Sequence, residues 1–166
     1  MYMTRHLFHY AEAMDRWLSE DEQRAWRALL RMTSQLDARL NRELQQTSGL
    51  SLADYDVLVL LTDVADGRLR VFELAQELGW EQSRLSHHLS RMQRRDLVVR
   101  EDCDTDRRGT FAVITEHGRA AITAAAPAHV AAVRRLVFDQ LPTAQVASLE
   151  ATARHVLARL AVQPPN

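Results

Sequence analysis

The segment from Arg84 to Arg95 contains four arginines and no acidic residue, interspersed with serine and histidine. Guanidinium groups bind phosphate, and hydroxyl and imidazole groups hydrogen-bond to base edges, so this composition is typical of nucleic-acid binding. At about 100° per residue, Leu85, Leu89 and Met92 fall on one side of a helix. The polar residues that lie opposite or beside them are Ser83, Arg84, Ser86, His87, Ser90, Arg91 and Arg94. We predict that this polar face binds DNA, the alternative being an ordinary solvated helix face.

A second basic element follows this helix along the chain. Leu97 to Arg100 and Thr110 to Thr115 are rich in Val, Ile, Phe and Thr, as strands are. The loop between them carries Asp106, Arg107 and Arg108, and adjacent arginines on a loop can reach a phosphate or enter a narrow minor groove. Asp106 is close enough in sequence to pair with Arg108. The alternative is a solvated hairpin with a surface ion pair.

The elements around these residues form a recognisable unit. Val71 to Gly79 reads as a short amphipathic helix, and it precedes the Arg-rich helix by a short turn. A helix, a turn, a second helix and a hairpin together describe a winged helix-turn-helix, whose second helix enters the major groove. The sequence therefore predicts a unit that reads double-stranded DNA.

This arrangement resembles the MarR family of bacterial transcription regulators. The matching stretches are LAQELGW, SRLSHHLSRMQRRDLV and TDRRGTFAVIT, followed by Glu116, His117 and Gly118. The resemblance covers about residues 21–162 and implies a mainly α fold with a small β-hairpin wing. In it, the winged helix-turn-helix is flanked by N- and C-terminal dimerisation helices. It also implies a ligand-responsive repressor that acts as a homodimer on a pseudo-palindromic operator.

The domain boundaries follow from the same pattern. We expect an N-terminal extension over residues 1–19 and one domain over residues 20–162, with the DNA-binding unit at about 51–115. Dimerisation helices are expected at about 20–46 and 116–162. Apolar residues recur at helical spacing from Ala25 to Leu44 and from Val146 to Leu160. A small winged domain cannot bury both stripes, which favours pairing with a second copy.

Local signals predict where several helices begin and end. Ser19 and Thr115 are expected N-caps, and Ser51 with Asp54 three residues later forms a variant capping box. Arg68 to Arg70 is expected to add a short strand to the hairpin. Pro127 is expected to kink or interrupt the helix after Thr115, because it lacks a backbone N–H.

Two positions depart from the family pattern. Asp96 replaces the usual glycine after the recognition helix, at a position that we expect to need a positive φ. Phe72 stands where the family usually has a Ser or Thr N-cap, so we expect a helix start without a side-chain cap. Neither departure changes the predicted fold.

The resemblance also implies a small phenolic or aromatic effector beside the dimerisation helices. Candidates for the wall of its site are Trp26, Leu30, Tyr55 and Trp80; for each residue taken singly, an ordinary core position is the more common explanation. No cofactor is expected, and the seven histidines lack the Cys/His spacing of a structural zinc site. Acidic neighbours on both sides of Cys103 should disfavour its thiolate and make it a poor nucleophile.

Composition limits the remaining classes. A net charge of −1 is unusual for a DNA-binding protein, but a local basic patch is sufficient for groove docking. No long apolar run or signal-peptide core is present, so we expect no membrane association and a cytoplasmic location. No nucleophile–base pair or Gly-rich phosphate loop suggests an enzyme. The principal alternative is a helical dimeric protein-interaction module without DNA binding.

Overall fold

A computed structural model describes residues 17–102 and 109–162. Outside these ranges lie most of the predicted N-terminal extension, Cys103 and the predicted wing residues Asp106, Arg107 and Arg108. The elements in chain order are α1 (Glu20–Ser48), α2 (Leu52–Thr62), β1 (Arg68–Arg70), α3 (Val71–Leu78), α4 (Gln82–Arg94), β2 (Val98–Asp102), β3 (Thr110–Ile114), α5 (Glu116–Leu136), a 3-10 turn (Phe138–Gln140) and α6 (Thr143–Val162).

The three strands form one antiparallel sheet in the order β1-β3-β2. The pairs Val98 with Ile114 and Asp102 with Thr110 mark the two ends of the hairpin register. On the other side of β3, Arg68 pairs with Val113, which confirms the expected third strand. The mainly helical fold with a small β wing is therefore confirmed.

The chain divides into two compact units at Ala38 and Arg39, within the continuous helix α1. In the first unit, the Ser19 hydroxyl accepts a hydrogen bond from the backbone N–H of Glu22, while the Glu22 carboxylate accepts one from Ser19 N–H. These hydrogen bonds, the backbone one first, lower the pKa of Glu22. The predicted N-cap at Ser19 is confirmed.

The second unit contains the hydrophobic core. Helix α2 lies at its centre, with Val57, Leu58 and Leu61 fully buried, because apolar residues surround this helix on nearly every side. The other elements contribute Leu44, Leu50, Leu74, Leu85, Leu89, Met92, Leu97, Val98, Ala112, Ile114 and Ile122. The core therefore joins both helices of the helix-turn-helix to the sheet and to α5.

The local helix signals in this unit mostly hold. Ser51 and Asp54 form the predicted capping box, with each side chain accepting from the other residue's backbone N–H at 3.0 and 2.9 Å. Thr115 caps α5 by accepting from Gly118 N–H at 2.9 Å. Asp96 has a φ of 55°, as expected, which disfavours a non-glycine residue by about 1 kcal/mol.

Two local predictions need correction in part. The N-cap of α3 is Arg70 rather than Phe72; the helix begins at Val71 without a side-chain cap, as expected, and Glu73 accepts from the Arg70 N–H at 3.3 Å. Pro127 does not interrupt α5, which runs through it to Leu136. A proline costs a helix interior about 3 kcal/mol, and we attribute the persistence of α5 to core packing by residues on both sides of it.

Helix α5 is also the one segment among the described residues that is long and apolar enough to span a membrane, counted from Glu116 to Gln140. This contrasts with the sequence-based expectation of no such segment. The helix buries Ile122, Ala125 and Ala132 within the protein. A core helix of a soluble protein meets the same criteria of length and composition.

Candidate nucleic-acid interface

Helix α4 has the two faces that its sequence predicts. Leu85, Leu89 and Met92 are fully buried against the core. Ser86 and Ser90 are half-buried at the boundary between the two faces. The residues that point to solvent are Ser83, Arg84, His87, Arg91 and Arg94. All seven predicted side chains thus lie along one side of a single helix, and the solvent-facing ones combine cationic groups with hydrogen-bonding groups.

The inner side of α4 also carries a polar anchor. Asp54 in α2 and His88 in α4 are the buried polar residues of the described chain, with 3% and 6% exposure. Nε2 of His88 lies 3.1 Å from Oδ1 of Asp54, although its N–H is not aligned for a straight hydrogen bond. Arg95 donates one hydrogen bond from Nη1 to Oδ2 of Asp54 at 2.7 Å and another from Nη2 to the Gly49 carbonyl at 2.8 Å. Asp54 therefore connects the start of α2 to two positions on or next to α4.

Electrostatics keep this carboxylate ionised. Burial alone would raise the pKa of Asp54, but His88, the Ser51 N–H and Arg95 outweigh burial and hold the pKa well below its usual range. The tautomer of His88 follows from its other contact. Nη2 of Arg91 lies 2.9 Å from Nδ1 of His88, and because a guanidinium only donates, Nδ1 accepts and the proton resides on Nε2, facing Asp54.

A second connection joins α4 to the wing. Nη2 of Arg100 in β2 donates hydrogen bonds to the carbonyl oxygen of Ser86 at 3.0 Å and to the Ser86 Oγ at 2.9 Å. Ser90 donates its hydroxyl to the same carbonyl at 2.9 Å. At the opposite edge of the sheet, the guanidinium of Arg68 lies 4.1 Å from the ring centre of Phe111 and 3.6 Å from Glu101. Sequence reasoning missed Arg100, because its partner lies 14 positions away.

The four predicted ligand-site residues are divided between the two units. Trp26 and Leu30 lie in the first unit and are about half exposed. Tyr55 is buried, and its ring centre is 4.3 Å from that of His129. Burial lowers the pKa of His129. The pKa of Tyr55 is raised, mainly by burial and to a smaller extent by the charge of Asp56.

Trp80, the fourth of these residues, lines a cleft of ≈ 430 Å³ beside α4. The guanidinium of Arg84 lies 4.3 Å from the Trp80 ring centre, and the His88 ring meets Trp80 edge-on at 5.4 Å. Arg91 and Arg95 also line the cleft, as does Asp54, whose carboxylate is paired with Arg95. This combination of an aromatic surface and cations suits an aromatic anion. Within the described residues, no group of three or more His, Cys, Asp or Glu could hold a metal ion.

Comparison with known proteins matched one family model and several solved structures. The MarR family model matches residues 48–109. AbsC, a MarR family transcriptional regulator from Streptomyces coelicolor, is 40% identical, with a TM-score of 0.82 over 89% of this chain and 99% of its own. Sco3205, a MarR family regulator from the same organism solved in complex with DNA, is 40% identical, with a TM-score of 0.83 over 89% of this chain and 95% of its own.

CouR from Rhodococcus jostii, solved with p-coumaroyl-CoA, is 27% identical, with a TM-score of 0.67 over 78% of this chain and 88% of its own. A search of curated proteins found no match. The similarity to AbsC and Sco3205 includes the helices on both sides of the winged unit as well as the unit itself, and both relatives are transcriptional regulators rather than enzymes. This chain belongs to the MarR family of DNA-binding transcriptional regulators.

Proposed function

We propose that this protein is a homodimeric repressor that reads a pseudo-palindromic operator through the outward face of α4 and releases it when a small effector binds. The observation that carries the proposal is the composition of that face. Arg84, Arg91 and Arg94 are exposed on it together with His87, and it includes no acid. The DNA complex of the 40% identical Sco3205 supports duplex DNA as the partner.

The proposed contacts divide into two kinds. His87 and Ser86 lie near the middle of α4 and are proposed to meet base edges, whereas the exposed arginines are proposed to bind phosphates. Asp106, Arg107 and Arg108 are proposed, from the sequence alone, to contact phosphate or the minor groove. In a dimer, two copies of α4 would enter successive major grooves about 34 Å apart.

Variants of His87 and Arg94 separate sequence reading from general DNA affinity. His87→Ala should weaken binding to the preferred duplex by about 1–3 kcal/mol per half-site and leave scrambled DNA nearly unaffected. Arg94→Ala should weaken binding to both and flatten the salt dependence by roughly one charge per subunit. The measurement is a titration of each variant on both duplexes at several salt concentrations. Equal losses on both duplexes for His87→Ala would contradict its proposed role.

The homodimer is proposed from apolar surface that a single chain leaves in solvent. In α6, Val156, Leu157 and Leu160 are 51%, 63% and 62% exposed. In the first unit, Leu29, Leu30 and Met32 of α1 are about half exposed. Stripes of this kind on terminal helices favour burial against the same surfaces of a second copy.

Charge placed on the α6 stripe tests the dimer. The double variant Leu157→Glu with Leu160→Glu should sediment as a monomer at micromolar concentration, because four buried carboxylates would oppose association in each dimer. Ala158→Glu, on the opposite side of the same helix, is the matched control and should remain dimeric. A wild-type chain that is folded and monomeric at this concentration would rule out the homodimer.

An aromatic acid or thioester is the proposed effector class. Support comes from the p-coumaroyl-CoA complex of CouR and from the cleft where Trp80 and Arg84 meet. The wall residues proposed from the sequence are Trp26, Leu30, Tyr55 and Trp80. Adding p-coumaroyl-CoA should quench tryptophan fluorescence and weaken operator binding. Operator DNA should in turn weaken the binding of p-coumaroyl-CoA by the same factor. Quenching without any change in DNA affinity would remove the regulatory part of the proposal.

A cytoplasmic location is part of the same proposal, since a regulator must reach the chromosome. The protein-interaction module remains the alternative function. It predicts that no duplex binds with the steep salt dependence expected when arginines displace counterions from phosphate.

A further inference from the structure

The two half-buried serines on α4 use their hydroxyl groups differently. Ser90 donates its proton to the Ser86 carbonyl at 2.9 Å, and this direction is certain because a carbonyl oxygen only accepts. Ser86 Oγ instead accepts a proton from Nη2 of Arg100 at 2.9 Å, and this direction is certain because a guanidinium only donates. The proton of Ser86 has no acceptor within the described residues, so only this serine keeps a free donor.

Arg100 also restrains the backbone at this point. The same Nη2 nitrogen has a second proton, which it donates to the Ser86 carbonyl at 3.0 Å. The Ser86 carbonyl also accepts the helical hydrogen bond from the Ser90 N–H, so with the two side-chain donors it is saturated. The guanidinium is half-buried and belongs to β2, a strand that pairs residue by residue with β3. Ser86 is therefore held from the sheet as well as from its own helix.

We propose that Arg100 is a positioning residue for sequence reading. By occupying a lone pair of Ser86 Oγ, Arg100 leaves the Ser86 hydroxyl to act as a donor toward the major groove. The free proton of Ser86 then matches a base edge that presents an acceptor: N7 or O6 of guanine, N7 of adenine or O4 of thymine. The N4 amino group of cytosine, which is a donor, could use only the second lone pair of Oγ and would leave the Ser86 proton unpaired. This inference rests on the proposed function, because it requires α4 to lie in the major groove.

The experiment uses the full-length protein and a duplex selected from random DNA. Each base of one half-site is replaced in turn by an analogue that lacks the acceptor, namely 7-deazaguanine, 7-deazaadenine or a pyrimidine without O4. One replacement should weaken wild-type binding by about fivefold through loss of the Ser86 hydrogen bond. Ser86→Ala should be insensitive to that replacement.

Arg100→Met tests the positioning role, because it keeps the length of the side chain and removes every donor. It should lose the same sensitivity as Ser86→Ala, and combining the two substitutions should add less than a twofold further loss. Arg91→Ala is the control: it should flatten the salt dependence and keep the sensitivity to the analogue. If Arg100→Met does not fold, as judged by thermal unfolding, Arg100→Gln replaces it, since its side chain is too short to reach Ser86.

Each other outcome has a definite meaning. If Arg100→Met weakens binding to all duplexes, flattens the salt dependence and keeps the sensitivity to the analogue, Arg100 binds phosphate and the inference is wrong. Ser86→Ala that behaves as wild type on every duplex would overturn the donor role. Wild-type protein that selects no sequence at all would overturn the proposed function itself, before Ser86 is considered.

Discussion

Replacing Asp54 with alanine should lower the free energy of unfolding by about 1–3 kcal/mol, the range for leaving a buried hydrogen-bonding group without its partner. The substitution leaves His88 buried beside an empty position and deprives Arg95 of its ion pair. It also removes the side chain that accepts the Ser51 N–H at the start of α2. The expected loss exceeds that of a surface carboxylate because Asp54 is 3% exposed.

Urea unfolding at neutral pH provides the measurement. Glu77→Ala, which removes an exposed carboxylate from α3, is the matched control and should change stability by less than about 0.5 kcal/mol. If Asp54→Ala costs less than about 1 kcal/mol, the buried contacts do not contribute as their geometry indicates.

The same residue predicts a pH dependence. The pKa of Asp54 in the folded chain lies below its ordinary value of about 3.9, so the contribution of the ionised carboxylate is complete above that value. It is lost as the pH falls from the unfolded-state pKa toward the folded-state pKa. Asp54→Asn should therefore unfold with a weaker pH dependence than the wild type below about pH 4. Parallel curves for the two proteins would contradict this assignment.

Gly118→Ala should destabilise the protein by about 2–3 kcal/mol, although alanine is the better helix former by about 1 kcal/mol. Gly118 lies in the first turn of α5, and a Cβ added there would be 2.1 Å from the backbone oxygen of Leu97. That oxygen accepts the Thr115 N–H and cannot turn aside without breaking this hydrogen bond. The side chain of Ile114 lies 3.0 Å from the same point.

Thermal and urea unfolding of Gly118→Ala can be read against Ala120→Gly, an exposed position two residues later in α5. That control should lose about 1 kcal/mol through helix propensity alone. A gain in stability for Gly118→Ala would mean that α5 and the loop at Leu97 can separate without cost, and that their contact does not hold the wing in place.

Short-range features of this fold were determined by the sequence alone. The caps at Ser19, Ser51 and Thr115 are hydrogen bonds between residues three positions apart, so their formation depends on spacing that can be read directly. Asp96 follows the same logic, because the end of a helix requires a left-handed residue there. The two faces of α4 also follow from helical periodicity, which fixes which side chains share a side.

Packing overrode one of these local rules. Pro127 removes one backbone hydrogen bond, yet α5 continues through it, and Ile122, Ala125 and Ala132 are buried on either side. Helix propensity counts only nearby residues and therefore omits this tertiary term. The N-cap of α3 at Arg70 is instead a local feature, because Glu73, three residues later, accepts the Arg70 N–H.

Only the tertiary structure decided which polar residues support the predicted DNA-binding face. Asp54 and Arg95 are 41 positions apart, and Arg100 and Ser86 are 14 apart, so no spacing rule relates them. His88 reads in the sequence as a neighbour of His87, yet it is buried against Asp54 while His87 is exposed. Successive side chains on a helix differ in direction by about 100°, so His87 and His88 point to different sides of α4. The contact of α2 with α4 places Asp54 beside His88 and leaves His87 exposed to solvent.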